Sequence, residues 1–234
     1  MKSLGGSCER DLYTIRNQLI GMYGLNGIEI YCLTNSSSYF TGRGVNNVMT
    51  NTITNFKWLL QKVSSKLYIH ISGHGYQGFD ARHNELDGRC EQIILSSGVM
   101  TDYMFYDCLK QYVDRNMMIR ITVDTCHSGT FSNFAYQLTD RLIDASIRPT
   151  AYFTNAYSMS ACSDSQLDSC DIGDHGFGGG LTCHLVDNNN LAEFLNGRPI
   201  EVRDRLTPLL KLLHQNPILL TDSWPDDSRH DHMI

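Results

Sequence analysis

The sequence predicts an α/β domain with a mostly parallel sheet flanked by helices, and three observations lead there. Short β-branched runs alternate with segments of helical period. Two of those runs, residues 67–72 ("LYIHIS") and 117–124 ("NMMIRITVD" less its first residue), pass directly into glycine-flanked turns, one holding a histidine and the other a cysteine. No repeat, low-complexity tract or linker breaks the alternation, so the 234 residues read as a single domain, 1–234, of a length that one core can serve.

Taken in order, Leu12, Ile15, Leu19 and Met22 keep helical spacing, and Gly24 follows as a stop. Residues 27–34 read as a strand and the polar run 35–47 as a loop. Ile53, Phe56, Leu60 and Val63 mark a second amphipathic helix. Strand 67–72 leads into a long loop, 73–91, and then a short strand, 92–95. A helix is expected from Asp102 to Val113, strands at 117–124 and 149–160, and C-terminal helices at 178–187, 191–197 and 207–214. Pro208 suits the first position of the last helix, after Thr207. Residues 216–221 read as a final strand, and the polar tail 223–234 is expected to fray.

Composition narrows the function classes. Hydrophobic residues make up 41% and charged residues 19%, ordinary for a soluble domain. A net charge of −6 argues against a nucleic-acid partner, which usually leaves a basic footprint. No window approaches the apolar length of a membrane span, and "MKSLGGSCERD" lacks the apolar core of a secretory signal. The eight cysteines are scattered without a C-x-x-C pair, which suits reduced thiols in a cytoplasmic compartment and offers zinc no ligand spacing.

A thiol is a weak nucleophile until it ionises, and a nearby imidazole favours the thiolate. His74 lies between Gly73 and Gly75 on a backbone free to turn sharply. Cys126 lies just past the end of strand 117–124, and ligands of parallel sheets bind beyond the carboxyl ends of strands. The N–H groups of Gly75 and Cys126 are candidate oxyanion donors. Alone, each motif would suit a core cysteine and a turn histidine. Together they point to one catalytic site. His127, adjacent to the cysteine, reads as structural.

"SGHG" followed by "DTCHSG" resembles the metacaspase branch of the caspase-like cysteine peptidases. The likeness extends to "CERD" (Cys8–Asp11), "SACSDSQ" (160–166), "GGLT" (179–182) and "QNPILL" (215–220). The resemblance implies a caspase-like (caspase-hemoglobinase) fold, with a large-subunit-like part at about 1–135 and a small-subunit-like part at about 149–222. It implies that Cys126 is the nucleophile and His74 the general acid/base. It also implies an acidic specificity pocket of Asp11, Asp124 and Asp164, with Cys8 and Ser72 beside them. Carboxylates in a closed pocket reject acidic side chains and favour Arg, held bidentately, over Lys. The expected partners are peptides or proteins with Arg or Lys at the cut, met by a monomer, and by family alone a role in programmed cell death.

Three departures from the family pattern carry expectations of their own. By that resemblance the family's calcium carboxylates fall at Cys90-Glu91, Thr101-Asp102 and Asn133, so three of four are lost and Glu91 is kept; Asp80, Glu85 and Asp87 are the alternative donors, and activity without calcium or any other cofactor is expected. The apolar first strand that the family carries before C-x-x-D has no counterpart in "MKSLGGS". The halves are joined by a short connection, so cleavage into subunits is not required, although self-cleavage after Arg82, Arg89 or Lys110 is conceivable, the two arginines falling in the expected loop. A catalytically inactive, partner-binding pseudoenzyme is the alternative. A different hydrolase or reductase fold lacks a phosphate-binding glycine loop in its support.

Overall fold

The computed structural model describes residues 6–80, 88–138, 143–144, 151–163, 179–211 and 217–222. Helix α1 spans Ser7–Tyr23, beginning a full turn before the first helix-spaced apolar residue. It starts after Gly6, whose φ of 84° is a left-handed conformation suited to glycine. That extra turn carries Cys8 and Asp11 on one helical face, three residues apart.

Strand β1 is only Cys32–Thr34, shorter than the expected 27–34, and it pairs in parallel with β2, Val48–Thr50, in a sheet of its own. Between them, a single 3-10 turn at Ser37–Phe40 buries Phe40 inside the predicted loop. Helix α2, Ile53–Leu60, is capped by the Thr52 hydroxyl, which accepts from the Asn55 N–H at 3.1 Å.

Strand β3 spans Lys66–Ser72. The expected loop 73–91 instead folds in part into strand β4, Gly75–Phe79, which pairs antiparallel with β5, Arg89–Leu95. Strand β6, Gly98–Thr101, completes this three-stranded sheet. Glycines at 75 and 78 argue against a strand by propensity, but tertiary packing overrides that: a Cβ on Gly78 would overlap the side chain of Gln92 across the ladder. Arg89 therefore stands on a strand, although exposed, and Arg82 lies outside the described residues.

Helix α3, Asp102–Tyr112, is capped by Thr101, and strand β7, Met118–Asp124, follows. Short strands β8, Tyr136–Leu138, and β9, Ile143–Asp144, precede β10, Ala156–Ser160, which occupies only the second half of the expected 149–160. Helices α4, Gly180–Val186, α5, Asn190–Asn196, and α6, Pro199–Lys211, lead to β11, Ile218–Thr221. Helix α6 starts at Pro199 rather than near Pro208, which lies inside it. The missed signal was Arg198-Pro199-Ile200-Glu201: Glu201 Oε2 accepts from the Arg198 N–H at 3.1 Å, the returning half of a capping box.

The main sheet has the order β3-β7-β10-β11-β8-β9. Strands β3, β7 and β10 run parallel, whereas the β10–β11, β11–β8 and β8–β9 pairings are antiparallel. The parallel character predicted from the sequence thus belongs to the half that carries the motifs. Among the described residues β3 pairs only with β7, so it forms one edge of this sheet.

Alternation along β7 sends Ile119, Ile121 and Val123 to one face, where they pack with α2 and α3 through Leu60, Phe105 and Leu109. The opposite face is covered by α1, α4, α5 and α6, whose Ile15, Leu181, Phe194 and Leu206 meet Tyr157 and Met159 of β10. Helices on both faces thus enclose the sheet, and β3 and β7 end together. A buried carboxylate ties the far end: Asp222 accepts from the Tyr106 hydroxyl at 2.9 Å and from the N–H groups of Ala135, Tyr152 and Phe153 at 2.7–3.0 Å.

Candidate active site

The parallel register of β3 and β7 sets Ser72 opposite Asp124, so the two motifs begin at the same level of the sheet. Beyond that point the chains stay in contact. The Gly73 N–H donates to the Asp124 carbonyl at 3.4 Å. A Cβ on Gly75 would overlap the Cys126 carbonyl oxygen and the Thr125 side chain, so only glycine lets β4 start against the cysteine turn. His74 is fixed between these contacts, its carbonyl accepting from the Ile94 N–H at 3.3 Å. Both His74 and Cys126 are half-buried.

The cysteine turn is held from behind. His127 adopts a φ of 52°, a left-handed conformation uncommon for a side chain with a Cβ, and this turns the chain sharply after Cys126. The Cys162 thiol donates to the Thr125 carbonyl at 3.4 Å, and the Ala161 N–H donates to the Val123 carbonyl at 2.9 Å. The start of the late 160–166 motif therefore lies beside the cysteine turn, with Cys162 as a buried support that sequence reasoning did not single out. Asp164 lies outside the described residues.

An acidic cluster adjoins the strand ends. Asp11 and Asp124 are both buried. The Ser72 hydroxyl donates to Asp11 Oδ2 at 2.6 Å, and the Gly179 N–H donates to the same oxygen at 3.2 Å. Asp124 Oδ2 accepts from both the N–H and the hydroxyl of Thr182, at 2.7 and 2.6 Å. A Cβ on Gly179 would overlap the Asp124 carboxylate, so the start of α4 is laid directly on it. Burial pushes the Cys8 thiol up, a hydrogen bond with Ser72 lowers it in part, and the charge of Asp11 raises it again. Cys8 is therefore a protonated neighbour of Ser72 and Asp11, not a thiolate. Cys8, Asp11, Ser72 and Asp124, named from the sequence, meet in one place.

Sequence reasoning missed what lies beneath them. Tyr68, His70 and Ser72 share one face of β3, and Arg120, Thr122 and Asp124 share the same face of β7. His70 Nδ1 lies 2.8 Å from the Thr122 hydroxyl, and its Nε2 lies 3.2 Å from that of Thr182. Burial pushes the His70 imidazole down to about 3, so it is neutral near pH 7. Arg120 stacks over Tyr157 with its guanidinium carbon 4.0 Å from the ring centroid, and it donates to Asn155. The alternation of polar with apolar residues in "YIHIS" and "RITVD" was the available signal.

At the positions that the resemblance assigns to calcium, the carboxylates of Glu91 and Asp102 remain, both buried, with the buried Asp80 close enough to act on Cys90. Burial pushes the Cys90 thiol up, and Gln92 donates to its sulfur at 3.3 Å. Glu91 is buried and accepts from Gln77 at 3.1 Å and from Thr130 at 2.6 Å, one on each oxygen. Thr101 caps α3, and Asn133, itself at a φ of 59°, donates its amide to Asp102 Oδ2 at 2.8 Å.

Residues 2–135 match a family model described as the metacaspase, peptidase C14 domain. Metacaspase-1 of Saccharomyces cerevisiae is 28% identical over 137 residues, 55% of this chain and 31% of that protein. Metacaspase-1 of Plasmodium falciparum is 28% identical over 152 residues, 60% of this chain and 25% of that protein. The chain thus aligns with less than a third of the length of these relatives. In overall fold it is similar to the crystal structure of protein GSU0716 from Geobacter sulfurreducens, with a TM-score of 0.51 at 18% identity, covering 79% of this chain and 80% of that one.

Proposed function

On the premise that this chain belongs to the metacaspase, peptidase C14 family, a family of cysteine peptidases, we propose that it is an endopeptidase cutting after Arg or Lys through Cys126 and His74. The observation that carries the reading is the convergence of Asp11, Ser72 and Asp124 at the ends of the two strands that lead into those residues. In this mechanism His74 takes the thiol proton, and the Cys126 thiolate attacks the carbonyl carbon of the residue before the cut. The amides of Gly75 and Cys126 are assigned to the oxyanion; Gly75 packs against the Cys126 carbonyl closely enough to exclude a side chain, which keeps the two residues adjacent. His74 returns its proton to the departing amine, leaving a thioester that water hydrolyses. Asp11 and Asp124, with Asp164 as a third carboxylate, recognise the cationic side chain, and Cys8 and Ser72 shape the pocket wall.

Calcium is not required in this reading, because Cys90, Thr101 and Asn133 stand where the family has carboxylates and the retained Glu91 already accepts from Gln77 and Thr130. The proposed setting is a reducing compartment, cytoplasmic, with peptide or protein substrates and no membrane or nucleic-acid partner. None of the described cysteines forms a disulfide, and no described helix is long and apolar enough to cross a membrane. A non-catalytic binding module is the second reading, favoured by one observation: β3 has a single strand partner among the described residues. An open edge exposes backbone groups that another chain can pair with.

Steady-state hydrolysis of matched fluorogenic peptides ending in Arg, Lys or Asp separates the two, run for wild type and Cys126→Ala in chelator and in calcium. Cleavage after Arg and Lys, lost in Cys126→Ala and unchanged by chelator, is expected. No cleavage by wild type under either condition would favour the binding module, and activity restored by calcium alone would overturn the cofactor reading.

A further inference from the structure

The hydrogen bonds behind Asp124 have a direction, and it follows from counting protons. That direction rests on Asp124 being a pocket carboxylate, as proposed above, and deepens that role. An ionised carboxylate only accepts, so the Thr182 hydroxyl, 2.6 Å from Asp124 Oδ2, gives its one proton there. At its other contact, 3.2 Å from His70 Nε2, the same oxygen must accept, and Nε2 therefore carries the hydrogen. His70 is half-buried, desolvation disfavours its charged form, and it holds a single proton, which leaves Nδ1 bare. Nδ1 then accepts from the Thr122 hydroxyl at 2.8 Å. With its proton spent, Thr122 accepts from the Tyr68 hydroxyl at 2.9 Å. Every link from Tyr68 onward points its hydrogen toward Asp124.

We infer that Tyr68, Thr122, His70 and Thr182 are positioning residues that keep Asp124 ionised and in a single orientation for a guanidinium or ammonium side chain. Thr122 and Thr182 are buried and Tyr68 and His70 half-buried, which costs free energy unless each polar group is satisfied, and apolar residues fill the other face of the same strands without that cost. A directed chain gains what an apolar filling cannot: aligned dipoles that favour the charged form of the carboxylate and resist its rotation. Thr182 is the joint, since it supplies both the final hydroxyl and a main-chain N–H to the same oxygen.

The test uses benzamidine as the cationic probe and benzamide as its neutral isostere, so that general damage and loss of charge recognition separate. Wild type should bind benzamidine more tightly than benzamide. Thr182→Val should weaken benzamidine roughly tenfold, the weight of one hydrogen bond to a charged group, and leave benzamide alone. Thr182→Ser, which keeps the hydroxyl, should restore it. Equal loss of both probes, no loss, or failure of Thr182→Ser to rescue would overturn the inference, as would a wild type without preference for the cation. Nitrogen-15 spectra of the histidine rings at pH 7, with His70 identified by its absence in His70→Gln, should show the proton on Nε2; a proton on Nδ1 would also overturn it. Neither readout needs catalysis. A wild type that prefers benzamidine through Thr182 but cleaves no peptide would sink the peptidase reading and leave this one standing.

Discussion

On one face of β7, Ile119, Ile121 and Val123 are fully buried against the helices α2 and α3. On the other face Arg120, Thr122 and Asp124 are almost equally buried, and all three are polar. Strand β3 repeats the pattern, with Leu67, Ile69 and Ile71 packed on the apolar side and Tyr68, His70 and Ser72 on the other. Burial alone therefore does not tell the two faces apart. The apolar face gains from removing surface from water, and its contacts are interchangeable in kind. The polar face holds its groups through specific partners, and its value lies in what stands at the end of it, the two carboxylates beside Cys126. The apolar core and the buried polar network are built from the same two strands, one residue out of phase.

That division can be broken by substitution. Ile121→Ala, in the middle of the apolar face, should cost about 2–5 kcal/mol in urea unfolding, because it removes buried methyl groups and leaves a cavity. The polar face should answer to pH instead. The folded value of His70, about 3, lies below its unfolded value near 6.5, so between those limits the unfolded chain binds a proton that the folded chain does not. Its contribution is fully present above about pH 6.5 and is lost as pH falls toward 3, at up to about 1.4 kcal/mol per pH unit. Unfolding series of wild type and His70→Gln should differ by that slope; parallel curves would mean that His70 titrates normally in the folded protein. Tyr68→Phe removes only the first hydroxyl of the chain and should cost about 1 kcal/mol. Lys66→Ala, at the exposed start of β3, should stay within about 0.5 kcal/mol. A Tyr68→Phe cost equal to that of Ile121→Ala would erase the distinction between the faces.

The strand ends were legible because β-branched runs passing into glycine-flanked His and Cys leave few alternatives. Cys8, Asp11, Ser72 and Asp124 were legible as a set through family likeness, and the structure brings them to one place, with Asp11 and Asp124 buried and Ser72 donating to Asp11. The rest was hidden for identifiable reasons. His70 and Thr122 sit inside runs that read as continuous strand, so their polarity passed as noise in a hydrophobic pattern. Thr182 was quoted within "GGLT", but its reach to Asp124 depends on a helix arriving from far along the chain. The first turn of α1 has no apolar residue on its period and no side-chain cap, which hid the helical spacing of Cys8 and Asp11. Strand β4 was disguised by two glycines whose smallness serves packing against Cys126 and Gln92.

In the proposed function the two strand ends make one site, a nucleophile beside a pocket for a cation, and covalent labelling can test this. Wild type would be treated with peptide acyloxymethyl ketones ending in Arg or in Asp, and the modified residue located by mass spectrometry. One adduct is expected, on Cys126, formed by the Arg reagent and not by the Asp reagent, and slowed in Asp124→Asn. Equal labelling by both reagents, or labelling spread over other cysteines such as Cys8 or Cys183, would contradict it.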